Sequence, residues 1–209
     1  MIELVKNFIF YQKINFKEDK NFIHESGHVI SAFLFSEDYF IDHVTLNPSY
    51  AKRFNLNNEG GSYVVPRKGK IDSEQLLKEY IFILLSGYVS QELFTNRNLK
   101  HQSNSIWLSN FLSYNKALGC DGDFYLISKH YNKYFGSHDG RNHIIEDILI
   151  HVTKFFNTLI IENAVLSIVF RIKASIEFTI DGNTLENTKE FRTIDKLKPK
   201  LFNTLLRDF

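Results

Sequence analysis

The sequence predicts a mainly helical domain with a small β-sheet, an α+β fold, and three observations carry that prediction. Apolar residues recur at three- and four-residue spacing over most of the chain. Short β-branched runs bounded by turn residues fall in the first third only. Three prolines and ten glycines in 209 residues leave no room for a long disordered linker.

The elements follow in order. Phe22 to Phe35 carries a helical stripe of Ile23, Ile30 and Leu34, with Phe22, Val29 and Phe33 beside it. Asp42 to Asn47 is β-branched and closed by Pro48, so it reads as a strand. Tyr50 to Glu59 is a polar, Asn-rich loop. A second strand spans Gly60 to Val65 and stops at Pro66. Asp72 or Ser73 can cap a helix running to about Phe94, with Leu77, Ile81, Leu84, Leu85 and Tyr88 as its buried stripe. Trp107 to Leu118 reads as another helix. Asp121 has the place of an N-cap before a helix over Phe124 to Tyr134. The longest pattern runs from Arg141 to about Phe178, with Ile145, Ile148, Leu149, Val152, Phe156, Leu159 and Ile160 at helical spacing. A tail helix follows Lys198.

Composition narrows the function. Lys plus Arg total 25 against 24 Asp plus Glu, so no broad basic field invites nucleic acid. One cysteine excludes a disulfide framework and a thiolate zinc site. The first residues do not form a signal peptide, no apolar run is long enough for a membrane span, and no phosphate-binding loop occurs. A single domain over residues 1–209, cytoplasmic in location, is the expectation. Any transition metal here must be held by imidazole and carboxylate.

His24-Glu25-Ser26-Gly27-His28 is an HExxH motif inside the first helix. Residues i and i+4 share a helical face, so the two imidazoles can reach one ion. Glu25 stands beside them, placed to take a proton from metal-bound water. Gly27 costs about 1 kcal/mol against Ala in a helix, which a close packing contact would explain. A catalytic zinc takes a third protein ligand. His43, His101, His130, His138, His143 and His151 read as surface or satisfied histidines. Glu92 extends the stripe of its helix one turn past Tyr88, as a ligand or as the acceptor for a ligand imidazole. Asp123 falls in the first turn of its helix, where dipole compensation alone would account for an acid.

The order of segments resembles the peptidase domain of FtsH-type ATP-dependent zinc proteases. A HEAGHA-like helix is matched by His24 to Val29, and a KVTI-P-like strand by His43 to Pro48. Gly61-Ser62-Tyr63 is similar to the family's G-Y-T edge strand. Leu84 to Phe94 resembles LLGGR-AEEL-F, and Gly119 to Phe124 resembles G-A-S-N-D-L. The similarity runs over residues 22–134, with 141–209 a looser helical part. It implies a zincin-like fold with His24, His28 and Asp123 as ligands to one zinc, Glu25 as base, and Asp121 in the capping place. The expected substrates are peptides or unfolded proteins, and strand order suggests that an extended chain adds beside Gly61 to Val65, with Gly61, Ser62 and Tyr63 as the edge candidates. Tyr88 stands where the family has Arg, and Gln91 where it has the first acid of a pair. The match omits the ATPase module and membrane anchor, so a separate ATPase or self-association would deliver folded substrates. Two other readings stay open: a metal-bound module that binds without cutting, and a HExxH regulator peptidase with Glu92 as third ligand.

Overall fold

The computed structural model describes residues 14–47, 49, 61–95, 106, 109, 121–135, 141–204, 206 and 209. Among these are seven α-helices and a three-stranded antiparallel sheet, an α+β fold dominated by helix. Helix α1 is Lys20–Leu34, followed by strands β1 (Tyr39–Thr45) and β2 (Gly61–Pro66) and by α2 (Glu74–Thr95). Then come α3 (Asp121–Phe135), α4 (Arg141–Phe156), α5 (Leu159–Ala174), β3 (Thr179–Asp181), α6 (Gly182–Glu186) and α7 (Lys189–Thr204).

Helices α1 and α2 form the centre. α2 is buried on nearly every side, flanked by α1, α3 and α4, while α1 is also covered by α5, α7 and the sheet. Ile23, Val29, Ile30, Phe33 and Leu34 of α1 are buried, as are all five stripe residues of α2. The two helices approach closely because their contact is lined by small residues. A Cβ on Gly27 would fall inside the contact distance of Ser90 Oγ and the Ser86 carbonyl, which supplies the packing reason for that glycine. Ser31 donates to Ser86 Oγ at 2.6 Å and Ser90 to the Ile23 carbonyl at 3.0 Å, so the polar atoms buried there are paired.

Of the two residues offered as cap for α2, the structure selects Ser73, whose Oγ accepts from the Leu76 amide at 3.2 Å. Asp19 precedes α1 without capping it. Its carboxylate instead receives Lys173 Nζ at 2.6 and 2.7 Å and ties α1 to the end of α5.

The sheet order is β2-β1-β3, so β2 and β3 are its edges. A register irregularity falls between Ile41 and His43. The extra residue lets Ile41 and Val44, three apart, share a face, and their partners Val64 and Ser62 share it too. Tyr63 turns to the other face and stacks on His43 with ring centroids 4.7 Å apart.

Several expectations need correction. The long pattern from Arg141 is two helices, α4 and α5, bent by 83° at Asn157–Thr158. Thr158 is extended there and its hydroxyl donates to the Phe155 carbonyl, which closes α4. Leu159 and Ile160 lie past that corner and are exposed rather than part of the α4 stripe. The third strand lies in the last third of the chain, reached through Glu177 and Phe178 at φ 53°. The tail helix begins at Lys189 and contains Pro199. Helix α3 starts at Asp121, so that residue stands inside its first turn. The loop over Tyr50 to Glu59 and nearly all of the helix expected at Trp107 to Leu118 lie outside the described residues. No single helix among the described residues is long and apolar enough to cross a membrane.

Candidate metal centre

The HExxH residues occupy the middle of α1, where the helix meets α2 on one side and β2 on the other. His24 and His28 stand one turn apart with ring centroids 4.8 Å apart and planes at 81°. Asp123 reaches them from α3 across 99 residues of sequence. Its Oδ2 lies 3.0 Å from His24 Nε2 and 3.3 Å from His28 Nε2. Asp123 precedes Ile127 and Tyr131 by one and two turns, and both are buried. The apolar stripe that seats α3 therefore carries the carboxylate at its N-terminal end.

Gly87 of α2 forms the floor. A Cβ there would stand 2.5 Å from His28 Nε2 and 2.6 Å from His24 Nε2, so the two imidazoles fill the space that a side chain would take. Tyr80, two turns earlier on α2, stacks on Tyr39 and meets His130 edge-on. Burial and the charge of Asp123 push its phenol up to about 12.

The hydrogen bonding of His28 decides what the cluster can hold. Its Nδ1 lies 2.7 Å from the Ile83 carbonyl, an acceptor only, so Nδ1 carries a proton. In the neutral ring Nε2 is then a lone pair, and it faces a carboxylate oxygen. Two acceptors 3.3 Å apart require a cation between them, either a proton or a metal ion. For the proton, burial works against the charged ring, but Asp123, Glu25 and the Ile83 carbonyl raise His28 from 6.5 to about 9. Burial also opposes ionisation of Asp123, yet His28 and His24 hold it well below the usual carboxylate range. For a metal, nitrogen and oxygen ligands at about 2.0–2.2 Å around a tetrahedral ion lie about 3.3–3.6 Å apart. The 3.3 Å spacing reaches that edge and the 3.0 Å spacing is a few tenths shorter, and two imidazoles with a carboxylate are the donor types that zinc takes.

Glu25 is the third residue of the motif. One donor atom each from His24, Glu25 and His28 lies within 4.8 Å of the others. Its carboxylate accepts from Ser62 Oγ of β2 at 2.7 Å. Of the edge residues Gly61, Ser62 and Tyr63, only Ser62 points at α1. Gly61 pairs with Thr45 and Tyr63 with His43.

Glu92 is half-buried on α2, and no hydrogen bond or ion pair links it to His24, His28 or Asp123 among the described residues. Burial raises its pKa. For His28, the place assigned to Glu92 as imidazole acceptor is taken by the Ile83 carbonyl. His43 bonds Asp42 at 2.8 Å, His130 packs on Tyr80, His151 meets Phe209 and His143 is exposed. His101 and His138 lie outside the described residues.

Sequence reading missed the roles of the Ile83 carbonyl and Gly87. A backbone acceptor has no residue-type signature. The glycine did leave a sign: like Gly27, it sits inside a strong helical pattern without a turn to explain it. No protein-family model, curated protein or solved structure matches this chain.

Proposed function

We propose that the chain is a zinc-dependent metallopeptidase that hydrolyses peptide bonds in peptides or unfolded proteins. His24, His28 and Asp123 would hold the metal and Glu25 would act as general base. The observation that carries the reading is the meeting of two acceptors: His28 Nε2, its ring fixed by the Ile83 carbonyl, faces the Asp123 carboxylate at 3.3 Å. The Ile83 carbonyl would serve a protonated imidazole too, and it is also the kind of acceptor that orients a ligand imidazole through its second ring N–H. We read the HExxH helix beside an antiparallel sheet edge as zincin-like, in line with the FtsH-type resemblance.

Bound zinc would supply a water acidified to a pKa of about 7 and a polarised scissile carbonyl. The protein's own groups do the rest. His28 is oriented by Ile83, and Gly87 leaves both imidazoles room to converge. Glu25 is almost fully buried, so its charge is poorly shielded by solvent. It takes the proton of the attacking water and returns it to the leaving amine. An extended substrate would pair with the edge of β2, which runs alongside α1.

The test compares Glu25→Gln with wild type on zinc content and on cleavage of unfolded casein. Zinc should remain at one per chain while cleavage falls at least about 100-fold. His28→Ala and Asp123→Ala should lose the zinc. Full cleavage by Glu25→Gln would end the proposed mechanism. A zinc-loaded wild type that binds unfolded chains but cuts none would instead make the domain a binding module.

A further inference from the structure

Glu25 presents a problem that the HExxH motif alone does not solve. A general base must hold its carboxylate toward the reacting water, and a glutamate has three rotatable bonds with which to leave. Glu25 is about 9% exposed, and among the described residues one side chain donates to its carboxylate: Ser62, at 2.7 Å from Oε2. The Glu25 backbone carbonyl is a second acceptor for the same hydroxyl, at 3.2 Å. A hydroxyl has one proton, and the shorter, charge-assisted bond to Oε2 takes it.

We propose that Ser62 is the positioning residue for Glu25, its hydroxyl fixing Oε2 so that Oε1 is the oxygen left to take and return the proton. The placement comes from the sheet. Along β2, Ser62 alternates onto the face of Val64, toward α1, while Tyr63 takes the far face; the irregularity in β1 sets the buried Val44 opposite Ser62 and lets His43 stack on Tyr63. β2 thus has a second task besides offering an edge to an extended chain: it holds the base on the helix packed beside it. The effect on rate rests on Glu25 being the general base; the effect on its conformation does not.

The test has two arms. Crystal structures of wild type, Ser62→Ala and Ser62→Thr read the Glu25 side chain directly, without metal or substrate. The carboxylate should occupy one rotamer in wild type and Ser62→Thr and spread over several in Ser62→Ala. A single unchanged rotamer in Ser62→Ala overturns the proposal. The second arm measures casein cleavage by the zinc-loaded proteins. Ser62→Ala should lower kcat about 10- to 100-fold with KM within twofold and zinc content unchanged, and Ser62→Thr should restore most of the rate. In the Glu25→Gln background the same change should cost less than twofold. A loss confined to KM, or an undiminished loss in Glu25→Gln, would show Ser62 acting on substrate instead and sink the idea. If wild type cuts nothing, the peptidase reading fails while the crystallographic arm still decides on Ser62.

Discussion

Asp123 and Glu79 are both carboxylates drawn out of water, and their surroundings push them in opposite directions. Asp123 has two imidazoles against it and stays ionised. Glu79, on α2 near the Tyr39 end of the sheet, has no cation: Gln75 donates to its Oε1 at 3.0 Å and its Oε2 has no partner among the described residues. Burial, with Asp38 and Glu37 nearby adding repulsion, outweighs the Gln75 hydrogen bond and raises Glu79 from 4.5 to about 7. The consequence for stability has a definite sign. The unfolded chain releases this proton near pH 4.5, while the folded chain keeps it until about 7. Between those values the native state binds more protons, so stability falls as pH rises through the window and stays lower above it. The full cost is about 3 kcal/mol. Glu79→Gln keeps the acceptor for Gln75 and has no charge to lose. It should leave stability at pH 4 nearly unchanged and raise it by about 3 kcal/mol at pH 8, as read by urea unfolding at both pH values. An equal gain at both would mean that the ionised form is not what costs stability here.

At the scale of elements, the site depends on how closely α1 and α2 cross, and Gly87 measures that. Alanine is the better helix former by about 1 kcal/mol, so on propensity alone Gly87→Ala would stabilise. The new methyl would meet both Nε2 atoms at 2.5–2.6 Å, too close to tolerate, and the imidazoles must swing away. They are side-chain ends and can do so, at the expense of the His28 bond to Ile83. The melting temperature should therefore change little, while zinc affinity falls at least about tenfold in a competition titration. Unchanged affinity would place the ligand atoms elsewhere. α1 and α2 were the elements most legible in the sequence, because their stripes are long and their apolar residues nearly all buried. The break at Asn157–Thr158 was not legible, since neither glycine nor proline marks it. β3 was missed because three residues carry no alternation to read. Within the site, His24, Glu25 and His28 declare themselves by spacing. Asp123 lies 99 residues from His24, and only the resemblance singled it out over Glu92.

Across the whole molecule, the candidate ligands join helices that the chain keeps far apart. α1 is gripped by α2, α5, α7 and the sheet, whereas α3 packs chiefly on α2. Its buried anchors there include Ile127 and Tyr131. A metal held by His24, His28 and Asp123 would be a cross-link from the centre of the core to that outer helix. Binding to the folded state alone stabilises it by about 4 kcal/mol at a free ion concentration of 1,000 times Kd. For a chain of this size each kcal/mol moves the melting temperature by about 2–4 °C, so zinc should raise it by roughly 8–16 °C, reversibly by chelator. The competing cation is the proton on His28, whose raised pKa of about 9 means that zinc must displace it throughout the neutral range. The shift should therefore be larger at pH 8 than at pH 6. Protection should also be unevenly distributed. Amides of α3 should gain most against hydrogen exchange, because α1 is already held by its packing. Asp123→Ala should abolish both the thermal shift and the gain in α3. If that variant shifts as far as wild type, zinc is bound without α3, and the cluster seen across α1 and α3 is an ion pair and nothing more.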